Sequence, residues 1–153
     1  MKKKTFLIFI LGFFFYSCSS FKIENVKYGW AGEYFGNPDD KGNLVIQKSS
    51  ISFNVMEVLK EEKLDAKPKE VKIRVIRDDE GYYYLTAHKF LNVWVFTSGE
   101  SLLKLENKIK LFENQPLDDP KFNEQKPNVK LFLKDGKEFI LNKDGIVEKE
   151  KTK

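Results

Sequence analysis

The feature that most constrains this chain is period-two alternation of apolar and polar residues, broken by turn formers roughly every ten residues. Successive side chains of an extended strand point to opposite faces, so a strand with one buried face alternates. Ile51, Phe53 and Val55 alternate with Ser52 and Asn54, and Val71, Ile73 and Val75 alternate with Lys72 and Arg74. Turn formers cluster at Asn37 to Gly42, Asp78 to Gly81, Ser98-Gly99, Asp135-Gly136 and Asn142 to Gly145.

The pattern predicts these strands: Tyr28 to Phe35; a hairpin of Leu44 to Gln47 with Ser50 to Val55; Val71 to Arg77 and Tyr82 to Lys89 around a turn. Ile76 breaks the alternation and marks a bulge. Val93 to Thr97, Ser101 to Leu105 and Ile109 to Phe112 follow, with Glu106-Asn107-Lys108 as a turn. Val129 to Lys134 and Lys137 to Leu141 flank Asp135-Gly136, the strongest two-residue hairpin signal, and Ile146-Val147 returns. Val55, Val58, Leu59 and Glu62 have helical spacing. They predict a short helical or open insertion near residues 57–67, ended by Pro68. Glu113 to Asn128, with Pro116, Pro120 and Pro127, reads as a long polar link. The fold class is all-β, a small antiparallel barrel of about eight to ten strands, closed to remove exposed edges.

The N-terminus is of another kind. Lys2, Lys3 and Lys4 precede the apolar run Phe6 to Tyr16, eleven residues long. A membrane span needs about twenty apolar residues, so this run is too short for one. A basic region, a short apolar core and small residues after it make a secretory signal. Phe15-Tyr16-Ser17-Cys18 resembles the lipobox of bacterial lipoproteins, with Ser17 as the small residue before the cysteine; Phe15 and Tyr16 stand where Leu and Ala or Ser are usual. The resemblance implies cleavage before Cys18, a diacyl (palmitate-type) modification of its sulfur and acylation of the new amine. Ser19 is not the Asp that retains lipoproteins in the inner membrane of enteric bacteria, which favours the outer membrane. The alternative is plain secretion with a free thiol at Cys18. The expected organisation is a signal peptide over 1–17, a lipidated N-terminus and tether over 18–27, one barrel domain over 28–147, and a flexible charged tail over 148–153.

Cys18 is the only cysteine, so a lipidated Cys18 leaves no thiol for a disulfide, a nucleophile or a metal. The formal charge of +4 comes from 27 basic and 23 acidic residues; without Met1 to Ser17 the balance is 24 to 23. Nothing in that balance calls for nucleic acid. Gly29-Trp30-Ala31-Gly32-Glu33-Tyr34 resembles the Gly-x-Trp first strand of lipocalin-type barrels, which implies a tryptophan plugging one barrel end.

Catalytic chemistry has few candidates. His88 is the only histidine, lies late in a strand and has no Gly-x-Ser-x-Gly elbow to serve. One histidine and no free thiol make a zinc site poor. Asp39-Asp40, Asp78-Asp79-Glu80 and Asp118-Asp119 sit in turns or loops, where capping explains them; Asn37, Asp39 and Asn43 lack the EF-hand pattern for calcium. The expectation is a non-enzyme with no cofactor and no metal. Tyr82-Tyr83-Tyr84 and Val93-Trp94-Val95-Phe96 are apolar on both faces. Either these strands are covered on both sides, or one face lines a cavity or partner surface through Tyr82, Tyr84, Trp94 and Phe96. The function expected is a membrane-anchored envelope module that binds a small apolar or amphipathic ligand. The alternative is an accessory subunit or inhibitor that meets an envelope protein through an aromatic face.

Overall fold

The computed structural model describes residues 29–47, 51–99 and 103–150, the last three as backbone. Cys18, the apolar run before it and the tether up to Tyr28 lie outside the described residues. Eleven strands are present among those described: β1 (Tyr34–Gly36), β2 (Asn43–Ile46), β3 (Ile51–Asn54), β4 (Ile73–Arg77), β5 (Tyr83–Ala87), β6 (Asn92–Ser98), β7 (Leu103–Lys110), β8 (Lys121–Gln125), β9 (Asn128–Phe132), β10 (Glu138–Asn142) and β11 (Gly145–Glu150). One α-helix, α1, spans Met56–Glu61, and a 3-10 turn spans Pro68–Glu70.

The chain is all-β and antiparallel, as the alternation requires. Five strands form one sheet in the order β1-β4-β5-β6-β7; four form a second in the order β11-β10-β9-β8; β2 and β3 form a separate hairpin. No closed barrel is formed among the described residues. The two larger sheets meet at their edges through single contacts, not ladders. Gly32 bridges Asn123, and the Asn107 side-chain amide donates to the Lys143 carbonyl at 3.0 Å.

Both faces of the five-stranded sheet are buried, which explains why a single-walled barrel is not formed. Ile76, Tyr84, Val93, Val95 and Ile109 pack against Phe122, Val129, Leu131, Phe139 and Leu141 of the second sheet. On the opposite face, Ile73, Val75, Tyr83, Leu85 and Trp94 pack against Leu44, Ile46, Val55, Val58 and Leu59. The hairpin and α1 are therefore the cover of an otherwise wet sheet face. Trp30 packs against both clusters and meets Tyr83 edge-on, with centroids 5.7 Å apart. It closes one end of the sheet between the layers.

Several boundaries differ from the pattern-based expectations. The first strand is Tyr34–Gly36; Gly29 to Ala31 lie before it, with the Trp30 N–H donating to the Arg77 carbonyl at 2.8 Å. Ile76 carries no bulge, because β4 and β5 pair in unbroken register and Ile76 is fully buried between the sheets. Glu106-Asn107-Lys108 is not a turn but the middle of β7. The expected polar link contains β8, anchored by Phe122 and preceded by the buried Leu117. Strand β11 runs to Glu150, so the first three residues of the expected tail pair with β10. Helix α1 ends at Glu61, well before Pro68, and Lys63 follows in the left-handed region (φ 53°); Pro68 opens the 3-10 turn.

The hairpin signals behave as their chemistry requires. Gly136 supplies φ 83° between β9 and β10, a conformation that side chains disfavour, while the Asp135 carboxylate accepts from the Lys137 N–H at 3.1 Å. Asp39 accepts from the N–H groups of Lys41 and Asn43 at 2.9 and 2.8 Å. Its side-chain bond to Asn43 is the largest influence holding its carboxyl below the usual range. These acids are turn caps.

Candidate functional site

Register divides the four aromatic side chains singled out above. Tyr83 pairs with Phe96, Tyr84 with Val95 and Leu85 with Trp94. Tyr82 and Tyr84 therefore face the second sheet, while Trp94 and Phe96 face α1 and β3. The four do not line one surface. The side chains that join Trp94 and Phe96 are Tyr83 and Leu85, one residue out of step with the pair expected on β5.

On that face lies a groove of about 560 Å³. Its floor is Tyr83, Leu85, Trp94 and Phe96. Its walls are β3, α1 and the start of β7, through Phe53, Val58, Leu103 and Leu105 among others. Trp94 and Phe96 stack at 6.4 Å with their planes 12° apart. The floor grades from buried to open along β6: Trp94 is 3% exposed, Phe96 is half-buried, and Ser98 and Gly99 are exposed. Leu105, 41% exposed, forms part of the open rim. The volume falls within the range of about 300–1,000 Å³ usual for small-molecule sites.

The Trp94 end is bordered by charge, with the Glu61 side chain half exposed. Lys108 pairs with Glu61 of α1, and its Nζ lies 4.6 Å over the Trp94 ring. Behind it the Glu62 carboxylate, 5% exposed, accepts from the Leu91 N–H at 2.5 Å, the Asn92 amide at 2.9 Å and the Trp94 indole at 2.7 Å. Glu62 thus fixes the ring that floors the groove. Its signal in the sequence was a carboxylate at the fourth position of the stripe Val55, Val58, Leu59, Glu62, where an apolar residue is expected.

On the other face Tyr84 is fully buried and donates its hydroxyl to Asp78 at 2.8 Å, while Asp78 also accepts from the Tyr82 N–H at 2.9 Å. Burial pushes the Asp78 carboxyl up, against the hydrogen bonds from Tyr82 and Tyr84. Burial, then the Asp78 charge, pushes the Tyr84 hydroxyl far up. The folded state therefore holds the Asp78 proton more tightly than the unfolded chain. Stability from this group is present at low pH and falls as pH rises from the ordinary carboxylate value through the raised one. Asp78→Asn removes that fall, because the amide can donate to the Tyr84 oxygen, which accepts as well as donates. Urea unfolding at a series of pH values should show a flatter profile for the variant. A parallel shift of both curves would contradict this.

His88 lies just beyond β5, more than half exposed. Its Nδ1 accepts from the Asp119 N–H at 3.3 Å and stands 3.4 Å from Asp118. Nearby, the Arg74 guanidinium pairs with Glu33 and with Asp119, the latter at 3.2 Å. Slight burial raises the Asp119 carboxyl, but Lys121 and Arg74 outweigh it and hold it below the usual range. This cluster joins β4 of one sheet to the chain around β8 of the other. Among the described residues no group of three or more His, Cys, Asp or Glu is placed to hold a metal ion, and no helix is long and apolar enough to cross a membrane.

No protein family, curated protein or solved structure matches the chain.

Proposed function

We propose that this chain is a lipid-anchored, non-catalytic binding module of the bacterial envelope, and that the groove over Trp94 and Phe96 takes a small apolar or amphipathic ligand. The anchor rests on the lipobox resemblance at Cys18, which favours the periplasmic face of the outer membrane. The observation that carries the binding reading is the groove itself: an apolar floor with three aromatic rings, left partly open by its own cover. The site lies between the five-stranded sheet and that cover. It is not the lumen of a lipocalin-type barrel, and the likeness at Gly29 to Tyr34 adds only the placement of Trp30.

The test uses the chain from residue 18 with Cys18→Ser, which removes the acylation site and leaves every described residue in place. N-phenylnaphthylamine should bind saturably. Leu105→Glu, at the open rim, should weaken binding by about tenfold or more. Val147→Glu, on the second sheet and somewhat more exposed than Leu105, should leave it unchanged. Absence of saturable binding, or equal effects of the two variants, would sink the reading.

A second reading, an envelope protein as partner, is favoured by β3. Among the described residues that strand pairs only with β2 and carries no charge, whereas the edge strands β7 and β8 carry lysines and glutamates. Charges on edge strands block pairing with other chains, and β3 lacks that protection. Recovery of a specific envelope protein with the wild-type chain, lost on Ser52→Pro, would support it.

A further inference from the structure

We infer that the groove holds a single fatty acyl chain, inserted methyl end first, from an amphiphile at the membrane surface that carries the protein's own anchor. This inference rests on the binding reading above and adds the ligand class, its orientation and its source.

Three observations lead there. The groove floor is graded from buried to exposed along β6. Its deep end is Leu85 and Trp94 under the Glu61–Lys108 pair, and its mouth is Ser98 and Gly99. A body that is apolar along its length and polar at one end matches that gradient; a uniformly apolar body would leave part of itself wet. The mouth also has a fixed place in the fold. Tyr83 pairs with Phe96, so the turn between β4 and β5 lies at the same end of the sheet as the connection from β6 to β7.

Gly29, the first described residue, lies at that end. The Gly29 N–H donates to the Asp79 carboxylate at 2.9 Å, and a Cβ on Gly29 would come within 2.5 Å of the same oxygen. The following residue, Trp30, packs on Tyr83 of the groove floor. Cys18 precedes Gly29 by eleven residues, a reach of at most about 40 Å when fully extended. An acylated Cys18 therefore holds Gly29, at the end of the sheet that carries the mouth, within about 40 Å of the surface where acyl amphiphiles reside.

The experiment uses the chain from residue 18 with Cys18→Ser and Trp30→Phe, which leaves Trp94 as the only tryptophan. Stearic acids brominated at successive positions are titrated below their micellar concentration, and quenching of Trp94 is read. Quenching should be strongest with bromine nearest the methyl end and weakest near the carboxylate. In the chain that retains Trp30, affinity for unlabelled saturated acids should rise about fourfold per added methylene until the groove is full. Ser98→Phe, at the exposed mouth, should weaken binding of the long acids by about tenfold or more.

Position-independent quenching, or the reverse order, overturns the orientation. Binding of N-phenylnaphthylamine without any fatty acid overturns the ligand class and leaves the binding reading standing. Binding of neither overturns both. Fatty acid taken up by the Cys18→Ser chain but refused by the acylated protein would identify the anchor's own chain as the occupant and overturn the proposed source.

Discussion

Arg74→Met is expected to lower stability by about 3–5 kcal/mol, the usual cost of stripping one partner from a buried ion pair. Arg74 is 8% exposed, and the Glu33 side chain it pairs with is 14% exposed. Methionine fills most of the volume but leaves the Glu33 carboxylate shielded from water with one remaining partner among the described residues, the Phe122 N–H at 2.9 Å. The site also joins the layers, since Glu33 precedes β1, Arg74 lies in β4, and Phe122 lies in β8. Total stability of a domain this size is about 5–15 kcal/mol, so the loss is a large share of it. The urea midpoint should fall by about 1–5 M if the slope is that of a small domain. Adding Glu33→Gln to Arg74→Met should recover much of the loss, because a neutral amide needs no counter-charge. A single variant within about 0.5 kcal/mol of wild type, the range of ordinary surface changes, would show that the pair is solvated and does not join the layers.

The strand pattern was legible wherever one face of a strand is dry and its partner is regular. It failed where a bulge changes which face a residue takes. Between β6 and β7 the register shifts at Val95/Phe96, so that Phe96 faces Leu105 while Val95 faces Asn107. Glu106 is the extra residue. Leu105 and Ile109, four apart and on one side of a regular strand, consequently serve opposite layers. Read without the partner strand, that looks like a turn. The same device between Ile140 and Leu141 leaves Val147 as the extra residue of β11, half exposed. Strand β8 was hidden for another reason. An edge strand needs only one apolar anchor, here Phe122, and its other positions read as a polar link. Two-sided burial was legible in the composition of β5 and β6. Which aromatic faces which layer was not, because it depends on a pairing register that a single strand does not contain.

Glu62→Ala should cost about 2–4 kcal/mol and should also disorder the floor of the groove. The carboxylate serves three donors from one region, the Leu91 N–H, the Asn92 amide and the Trp94 indole. Alanine leaves all three without it. The indole nitrogen is the most costly of them, since Trp94 is 3% exposed and water has little access. A buried donor left unsatisfied costs about 1–3 kcal/mol, and bonds to a charged acceptor stand at the upper end. Glu62→Gln should fall between wild type and alanine. Its single carbonyl oxygen accepts from at most two of the three donors, and its amide turns hydrogens toward the third. Trp94→Phe should cost less than Glu62→Ala, because it removes a donor and leaves the carboxylate two partners. The order Glu62→Ala, then Glu62→Gln, then wild type should appear in urea midpoints. It should reappear in the affinity for N-phenylnaphthylamine, because the same carboxylate fixes the ring on which the ligand would rest. Loss of stability without loss of probe affinity would separate Glu62 from the groove and leave it only the task of tying the end of α1 to the start of β6.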